Sequence, residues 1–269
     1  MTDRDFAYIS ELMGRRVGIN LTERKRELVY GRLSSRIRTL GLDSFRAYCE
    51  VLGGDEEEIA RCINSLTTNV TRFFREDHHF DFLRTWIRER DAAVDKGHGE
   101  RSLRIWSAGC SSGEEAYSIA ITLLDSGVDL RRWRIELLAT DIDTNMLEKA
   151  RMGIYPRAVM NEMTKPERWF LRGVNGNDGQ VRLKPALRSM VALAPLNLLG
   201  DWPDLGVFDL IFCRNVIIYF TAENRLRLLG RFAEHLAVGS HLVLGHSESI
   251  HGMGHQFQIV GRTINRKYA

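Results

Sequence analysis

The sequence predicts an α/β protein with a parallel sheet, preceded by an all-helical region. Two observations predict this class. Before about residue 70, apolar residues such as Val29, Leu33 and Ile37 recur at helical spacing. From Leu103 onward, short apolar stretches typical of strands alternate with longer amphipathic stretches typical of helices. Strand, helix and strand in that order form the βαβ unit of a parallel sheet.

The composition is that of a globular protein that can bury a sizeable core. The chain has 269 residues, 44% of them hydrophobic, and its 38 Lys and Arg against 35 Asp and Glu give a net charge of +3. Such a small net charge does not favour nucleic-acid binding. The 4 cysteines are far apart and form no C-x-x-C pair, which argues against a disulfide framework or a zinc module. With no signal peptide and no apolar run of membrane-spanning length, we expect a cytoplasmic protein without direct membrane insertion.

The helical region carries a local excess of positive charge. Residues 24–40 and 55–63 are predicted helices, and residues 77–90 form another. Between Arg15 and Arg46 there are nine Lys or Arg and three Asp or Glu, with Arg32 and Arg36 one turn apart. This excess is either a solvated helix face or a docking surface for an acidic partner.

Residues 65–75 separate this region from the α/β part. Their Thr and Asn content disfavours a helix interior, so we predict an extended linker. The predicted boundaries are a helical N-terminal domain with linker over residues 1–72 and an α/β domain over residues 73–269.

The α/β part contains one segment that breaks the alternation. Strands are predicted at 103–107, 134–139, 207–213, 240–244 and 257–264, with helices at 114–124, 144–151 and 222–236. The segment from about 152 to 195 does not fit. Within it we predict a helix over 157–170, a glycine-rich turn over 173–179, and a small antiparallel ribbon of 181–184 and 190–193.

Two features predict a nucleoside ligand at the carboxyl ends of the strands. The first strand leads into a helix through a turn containing Gly109 and Gly113, which lets a ligand approach the backbone closely. The next strand ends at Asp141, whose carboxylate is placed to accept hydrogen bonds from a ribose. Because a P-loop lysine and a full dinucleotide fingerprint are missing, S-adenosylmethionine fits better than ATP or NAD. The alternative is that the glycines only shape a turn and Asp141 only caps a helix.

A competing interpretation is hydrolysis. Residues 109–113 also match G-x-S-x-G, the nucleophile elbow of α/β-hydrolases, and Asp209 and His246 follow Ser111 in the order that such enzymes use. An elbow normally follows several strands, however, whereas here about a hundred mostly helical residues precede it, and hydrolysis leaves Asp141 unexplained.

Histidines raise the question of a metal. His246, His251 and His255 lie close together in the sequence, but the glycines between the last two argue against a helical ligand pair. We therefore predict a loop and no metal site.

Polar residues also stand at the tips of later strands. Asn197 and Leu198 follow the inserted segment, and Arg214 and Asn215 follow the strand 207–213. Tips at this edge of a parallel sheet are where ligands bind. Tyr219, in the next apolar run, is either a core residue or part of that site.

Taken together, these motifs resemble those of the bacterial chemotaxis receptor methyltransferases, the CheR family. The segments that carry the resemblance are Leu66-Thr-Thr-Asn-Val-Thr-Arg-Phe-Phe-Arg75, Gly113-Glu-Glu-Ala-Tyr-Ser118, Ala139-Thr-Asp-Ile-Asp143, Asn197-Leu198 and Cys213-Arg-Asn-Val-Ile-Ile-Tyr-Phe220. The resemblance covers nearly the whole chain. It implies a Rossmann-like S-adenosylmethionine-dependent methyltransferase domain with an inserted small antiparallel β-subdomain, preceded by an all-α N-terminal domain.

The resemblance also implies roles for particular residues. Asn69, Thr71 and Arg75 of the linker would close over S-adenosylmethionine, and Gly109 of the turn described above is also predicted to bind it. Glu115 and Asp141 would hold its amino-acid and ribose parts, although Glu114 and Asp143 compete for these two roles. The adenine side would be lined by Asn197, Leu198, Arg214 and Asn215.

The reaction implied is methylation of glutamate side chains on chemoreceptors, which yields glutamyl methyl esters and S-adenosylhomocysteine for chemotactic adaptation. A glutamate has an ordinary pKa of about 4.3, so it is already ionised near neutral pH and needs no general base. We hypothesise that Arg75 and Tyr219 orient it, and that Arg32 and Arg36 dock the acidic receptor helices. Some members of the family dock a C-terminal receptor peptide on this subdomain, so the resemblance implies a second receptor contact on the inserted β-subdomain. A hydrolase using Ser111 and a module that binds cofactor without turnover are the two alternatives.

Overall fold

The computed structural model describes residues 1–173 and 178–269, and in these it contains nine α-helices and ten strands. The helices are α1 (Asp3–Val17), α2 (Arg26–Thr39), α3 (Phe45–Leu52), α4 (Glu56–Leu66), α5 (His78–Asp95), α6 (Glu114–Asp125), α7 (Thr144–Met152), α8 (Pro185–Arg188) and α9 (Ala222–Glu234). The strands are β1 (Ser102–Ala108), β2 (Arg134–Asp141), β3 (Ile154–Pro156), β4 (Phe170–Arg172), β5 (Gln180–Leu183), β6 (Val191–Pro195), β7 (Phe208–Cys213), β8 (Leu236–Leu244), β9 (Phe257–Gly261) and β10 (Ile264–Lys267).

A seven-stranded sheet forms the body of the α/β part, in the order β6-β2-β1-β7-β8-β10-β9. The first five strands of this order are parallel, and β10 runs antiparallel to both β8 and β9. The chain thus goes outward from β1 on one side and from β7 on the other. In open α/β sheets, ligands bind at the carboxyl ends of strands beside such a reversal. The predicted α/β fold class with a parallel sheet is confirmed.

The first four helices have a hydrophobic core of their own. Val29, Leu33 and Ile37 of α2 are buried in it, as their spacing predicts. After α4 the linker runs to α5 without a helix or strand, which agrees with the predicted extended segment. None of the described helices is long and apolar enough to cross a membrane.

The inserted segment forms a small three-stranded antiparallel sheet in the order β3-β5-β4. The predicted helix over residues 157–170 is wrong, because this stretch forms two short 3₁₀ turns, Arg157–Glu162 and Pro166–Arg168, before β4 begins. Pro166 lacks an N–H and restricts the backbone of Lys165, so it interrupts a helix at that point. The predicted turn at 173–179 lies partly outside the described residues.

The second correction concerns the predicted ribbon. Residues 181–183 lie in β5 of the small sheet, but residues 190–193 do not pair with them. They form β6, which lies parallel to β2 at the edge of the large sheet, with Val191 opposite Leu137 and Pro195 opposite Asp141. A strand pattern shows that a stretch is extended but does not show which neighbour it pairs with.

Candidate active site

A cleft opens at the carboxyl ends of β1, β2 and β7, under the linker and beside the helical N-terminal region. It contains about 1290 Å³ of space, including its open mouth. All the side chains predicted to bind cofactor or to act in catalysis line it: Asn69, Thr71, Arg75, Gly109, Glu115, Asp141, Asn197, Leu198, Arg214, Asn215 and Tyr219. The fold therefore gathers residues separated by as many as 150 positions in the chain into one site.

Asp141 lies at the end of β2 and is buried at the base of the cleft. Its Oδ2 accepts a hydrogen bond from the backbone N–H of Ser111 at 2.7 Å, and its Oδ1 accepts one from the N–H of Asp143 at 2.8 Å. Burial raises the pKa of this carboxyl, although the two N–H donors favour its ionised form. Because each carboxylate oxygen can accept more than one hydrogen bond, both remain able to accept from ligand hydroxyl groups.

Asp143 has a different role from Asp141. It caps α7 by accepting hydrogen bonds from the N–H groups of Asn145 and Met146. Its Oδ2 also accepts hydrogen bonds from Thr67 Oγ1 and Asn69 Nδ2 of the linker, each at 2.7 Å. Asp143 does not line the cleft. Of these two carboxylates, the structure thus places Asp141 against the ligand space and uses Asp143 to hold the linker.

Glu115 is the second buried carboxylate of the cleft. Its Oε1 accepts a hydrogen bond from Ser107 Oγ at 2.7 Å, and its Oε2 lies 3.1 Å from Arg214 Nη1. Burial raises the pKa of Glu115, while the charge of Arg214 and the two hydrogen bonds act in the opposite direction. Glu114 accepts from Ser112 Oγ and does not line the cleft, so Glu115 is the member of this pair that faces the ligand space.

Arg214 connects the cleft floor to the linker. Its guanidinium donates to the carbonyl of Arg75 as well as to Glu115, and it lies 3.6 Å from Glu76 Oε2. Burial opposes ionisation of Glu76, but a hydrogen bond from His246 and the charge of Arg214 outweigh it and lower the pKa of Glu76. Glu76 was not recognised from the sequence, since a single acidic residue after the linker carries no pattern, and His246 was considered only for a hydrolytic triad or a metal.

Gly109 allows the loops after β1 and β7 to approach each other. Its φ is +87°, and a Cβ placed on it would come 2.4 Å from Cγ2 of Val216. A side chain here would therefore strain the backbone and also push Val216 outward, away from the turn.

Arg75 and Tyr219 also line the cleft. Arg75 is half-buried and its Nη1 donates to the carbonyl of Val70 at 2.8 Å. The ring of Tyr219 has Lys25 Nζ 5.2 Å from its centre, and its backbone carbonyl accepts from the N–H of Asn20 at 3.0 Å. Burial and the nearby charge of Arg32 lower the pKa of Lys25.

One wall of the cleft comes from the helical N-terminal region and was missed by the sequence analysis. It consists of Val17, Ile19, Leu21, Lys25 and Leu28. Ile19 and Leu21 lie in the connection between α1 and α2, and helical spacing does not reveal that this connection covers a cleft in a different region of the chain.

The two arginines predicted to dock a partner have intramolecular acceptors. Arg32 Nη1 donates to the carbonyls of Leu66 and Thr67, at 3.0 and 2.6 Å. Arg36 Nε donates to Oε1 of Glu58 at 2.7 Å, and Glu58 is only 1% exposed. Both arginines are half-buried, so each stabilises the N-terminal region whatever else it contacts.

The residues of a hydrolytic triad do not meet. Asp209 lies at the far end of β7, where its Oδ1 is 2.8 Å from Arg90 Nη1. His246 Nδ1 is 2.9 Å from Oε1 of Glu76, and Ser111 Oγ donates to the carbonyl of Asn69 at 3.4 Å. The hydrolase alternative therefore lacks its catalytic arrangement.

Among the described residues, the group best arranged for a metal is Glu76, His78 and His79, each with one ligand atom within 4.8 Å of the others. It does not include His251 or His255. The carboxylate of Glu76 already accepts from His246 and faces Arg214, whose positive charge disfavours a cation there.

Comparison with known proteins agrees with this geometry. A family model described as the CheR methyltransferase SAM binding domain matches residues 69–266, and one described as the CheR methyltransferase all-alpha domain matches residues 4–67. Among solved structures, PKMT2 from Rickettsia typhi in complex with AdoHcy covers 54% of the chain and 21% of its own, at 15% identity and a TM-score of 0.34. That likeness is too low to bear on function.

Curated relatives align over almost the whole length. The chemotaxis protein methyltransferase of Escherichia coli strain K12 is 43% identical, with 98% of this chain and 91% of that protein covered. Chemotaxis protein methyltransferase 2 of Pseudomonas aeruginosa is 42% identical, with 98% and 92% covered. The two family models together match nearly the whole chain, and the curated relatives align over most of their own length. The chain belongs to the CheR methyltransferase family of S-adenosylmethionine-dependent methyltransferases.

Proposed function

We propose that this protein methylates glutamate side chains on the cytoplasmic domains of bacterial chemoreceptors, as part of chemotactic adaptation. The products are glutamyl methyl esters and S-adenosylhomocysteine. The observation that carries the proposal is the cleft itself, which is lined by two buried carboxylates, Glu115 and Asp141, and by two groups able to orient an anion, Arg75 and Tyr219.

The donor groups of the cleft fit S-adenosylmethionine. Asp141 has acceptor positions left for the two ribose hydroxyls, and Glu115 offers a carboxylate to the amino group of the methionine part. Asn197, Leu198, Arg214 and Asn215 also line the cleft, and we assign them to the adenine part. Asn69, Thr71 and Arg75 of the linker close the cleft from above, and Asp143 fixes Asn69 in that place.

The chemistry asks little acid–base work of the protein. When bound, the cofactor supplies a methyl group already activated by a positively charged sulfur. The attacking glutamate is ionised near neutral pH, so the cleft has to place one carboxylate oxygen in line with the methyl and remove water from it.

Arg75 and Tyr219 are the residues that we assign to this placement. The guanidinium of Arg75 is a planar donor that can hold a carboxylate through two hydrogen bonds, and the hydroxyl of Tyr219 is a further donor. The apolar wall formed by Val17, Ile19, Leu21 and Leu28 displaces water on the same side of the cleft. The positive charge of Lys25 adds to the attraction for an anionic side chain.

Two surfaces are assigned to the receptor. The basic α2 region, including Arg32 and Arg36, docks the acidic helices that carry the methylated glutamates. A C-terminal receptor peptide adds a strand to the small sheet, whose outer strands β3 and β4 each have one pairing edge open among the described residues. Mixing with receptor tails tests the second contact; if no tail binds, this member works without tethering.

Calorimetric titration with S-adenosylhomocysteine, followed by methyl-transfer assays on a receptor fragment, tests the whole proposal. We expect one-site binding that Asp141→Ala abolishes, and base-labile methyl esters on glutamate. Binding without any transfer to receptor fragments would instead indicate a sensing module. If the folded protein does not bind S-adenosylhomocysteine, the cofactor assignment is wrong.

A further inference from the structure

One buried carboxylate close to the cleft has no part in the mechanism above. Glu248 follows β8, is 6% exposed and does not line the cleft. In the described part of the chain, no cation forms an ion pair with it within 4.0 Å. A carboxylate buried without a counter-charge is costly unless hydrogen bonds satisfy its oxygens.

Backbone N–H groups from two different loops satisfy Glu248. Its Oε2 accepts from Asn215 at 2.8 Å and from Gly245 at 2.6 Å, and its Oε1 accepts from Ile218 at 3.4 Å. The N–H of Glu248 in turn donates to the carbonyl of Gly245 at 2.9 Å. A single side chain thus joins the turn after β8 to the loop after β7.

The loop after β7 is the one that places Asn215 and Tyr219 in the cleft. Asn215 has a φ of +60°, a conformation that non-glycine residues adopt at an energetic cost. The 3₁₀ turn Ile217–Tyr219 follows at once, and its middle residue, Ile218, donates to Glu248. The carboxylate therefore holds the loop at both sides of the bend.

The turn after β8 leaves no room for a side chain at Gly245. A Cβ on Gly245 would lie 2.6 Å from Nδ2 and 2.8 Å from the backbone N of Asn215. The two loops are in direct contact at this point, so a shift of the Glu248 carboxylate is passed on to Asn215.

We propose that Glu248 is a positioning residue for methyl transfer, which fixes Asn215 against the cofactor and Tyr219 against the methyl acceptor by accepting the N–H groups of their loop. This inference rests on the function proposed for the cleft. It assigns to Glu248 no contact with cofactor or substrate.

The test is Glu248→Gln, in which an NH₂ group replaces one acceptor oxygen and faces the N–H donors. We expect kcat with a receptor fragment to fall by about tenfold or more, which corresponds to the loss of one charge-assisted hydrogen bond. The Kd for S-adenosylhomocysteine should rise severalfold. Hydrogen exchange should accelerate in peptides that cover residues 213–220 and 245–248, and remain unchanged in β1.

Asp209→Asn is the matched control. Asp209 lies at the other end of β7, and its Oδ2 accepts a backbone N–H, that of Arg104, at 2.8 Å. The same change of carboxylate to amide should lower the melting temperature while leaving kcat and cofactor affinity within about twofold of the wild type. This control therefore measures how far a general weakening of the sheet lowers kcat and cofactor affinity.

Glu248→Asp keeps the charge but shortens the side chain. It tests the positioning role of Glu248 if the glutamine variant does not fold. A reduced kcat with local acceleration of exchange supports the proposal. Wild-type kcat and wild-type cofactor affinity, in whichever variant folds, overturn it. Failure of the wild-type protein to bind S-adenosylhomocysteine is a separate result, which contradicts the function of the cleft and not the role of Glu248 alone.

Discussion

Arg214 Nη1 lies 3.1 Å from Glu115 Oε2, and this buried ion pair joins the end of β7 to the first turn of α6. The same guanidinium donates to the carbonyl of Arg75, so it also ties the linker to the sheet. Two acceptors reached by separate nitrogens of one planar group require the fork of an arginine, and a lysine ammonium cannot reproduce that arrangement.

Arg214→Lys should therefore weaken cofactor binding although it keeps the charge. We expect the Kd for S-adenosylhomocysteine to rise by roughly tenfold, the loss of one hydrogen bond to a charged group, in calorimetric titration. Arg104→Lys is a suitable comparison, because Arg104 also bridges a carboxylate and backbone carbonyls, at the opposite end of β1. Equal affinity in the two variants would contradict the role given to Arg214.

Asp141→Asn should remove most of the cofactor affinity, both by losing the charge and by turning an NH₂ group toward one of the two backbone N–H donors. The amide keeps one acceptor oxygen, but it loses the charge that strengthens hydrogen bonds from the ribose hydroxyls. We expect a loss of roughly 10- to 100-fold in affinity for S-adenosylhomocysteine. Asp125→Asn, at the far end of α6, should bind like the wild type. If Asp141→Asn bound as tightly as that control, the ribose would have to be held elsewhere.

Cofactor affinity should depend on pH in a defined direction. Burial raises the pKa of Asp141 and of Glu115 above the usual values for their carboxyl groups. Only the ionised forms accept hydrogen bonds at both oxygens, so affinity should be full above these raised pKa values and should fall as the pH drops through them. Titrations from neutral to acidic pH measure this, and Asp141→Asn should remove part of the slope. An affinity that rises on acidification would contradict the assignment.

Arg75→Lys separates orientation of the substrate from binding of the cofactor. If Arg75 orients the glutamate carboxylate, kcat should fall by about 100-fold or more while the KM for S-adenosylmethionine changes little, since misplacement of a reacting group is costly. Steady-state kinetics with a receptor fragment provide both values. A raised cofactor KM with unchanged kcat would assign Arg75 to the cofactor alone.

Docking by the basic α2 region requires a test that is independent of stability. Arg36→Ala would leave the buried carboxylate of Glu58 without its main partner, so we expect a loss of about 2 kcal/mol in the free energy of unfolding, measured with urea. Arg24 and Arg38 are exposed, so their replacement should not carry this cost in stability. Arg24→Glu with Arg38→Glu should leave stability within about 0.5 kcal/mol and reduce methylation of receptor fragments.

Added salt offers a second measure of the same docking. Methylation by the wild-type protein should slow as ionic strength rises, because exposed charges are screened over about 10 Å at 0.1 M salt. The double reversal should flatten this dependence. A methylation rate that changes neither with added salt nor with the charge reversal would exclude electrostatic docking by α2.

Much of the fold follows from local pattern. The alternation of strand and helix patterns from Leu103 onward corresponds to the large sheet. The helical spacing around Leu33 corresponds to the buried face of α2. What the pattern does not contain is pairing between distant segments. The apolar stretch at 190–193 reads as a strand, but only tertiary structure decides that it lies beside β2 and not beside β5.

The residues of the site also divide into those that local pattern predicts and those that depend on contacts between distant segments. Residues at strand tips, such as Asp141 and Arg214, were accessible to reasoning because parallel strands bring their carboxyl ends to one edge. Glu76, Lys25 and Glu248 were not, since each acts across a contact between segments far apart in the chain. Of the paired acidic residues, only the fold distinguishes Asp141 from Asp143, by turning one toward the cleft and the other toward the linker.

The contact of Thr67 and Asn69 with Asp143 has a thermodynamic consequence. Asp143 caps α7 and stands two residues from the carboxylate assigned to the ribose, so the N-terminal helices and the cofactor pocket share one anchoring group. Detaching the helices would expose the pocket and remove both linker hydrogen bonds to the Asp143 carboxylate. Ligand binding should therefore stabilise the helical region as well as the sheet, and both should melt in one calorimetric transition that moves to higher temperature as S-adenosylhomocysteine is added.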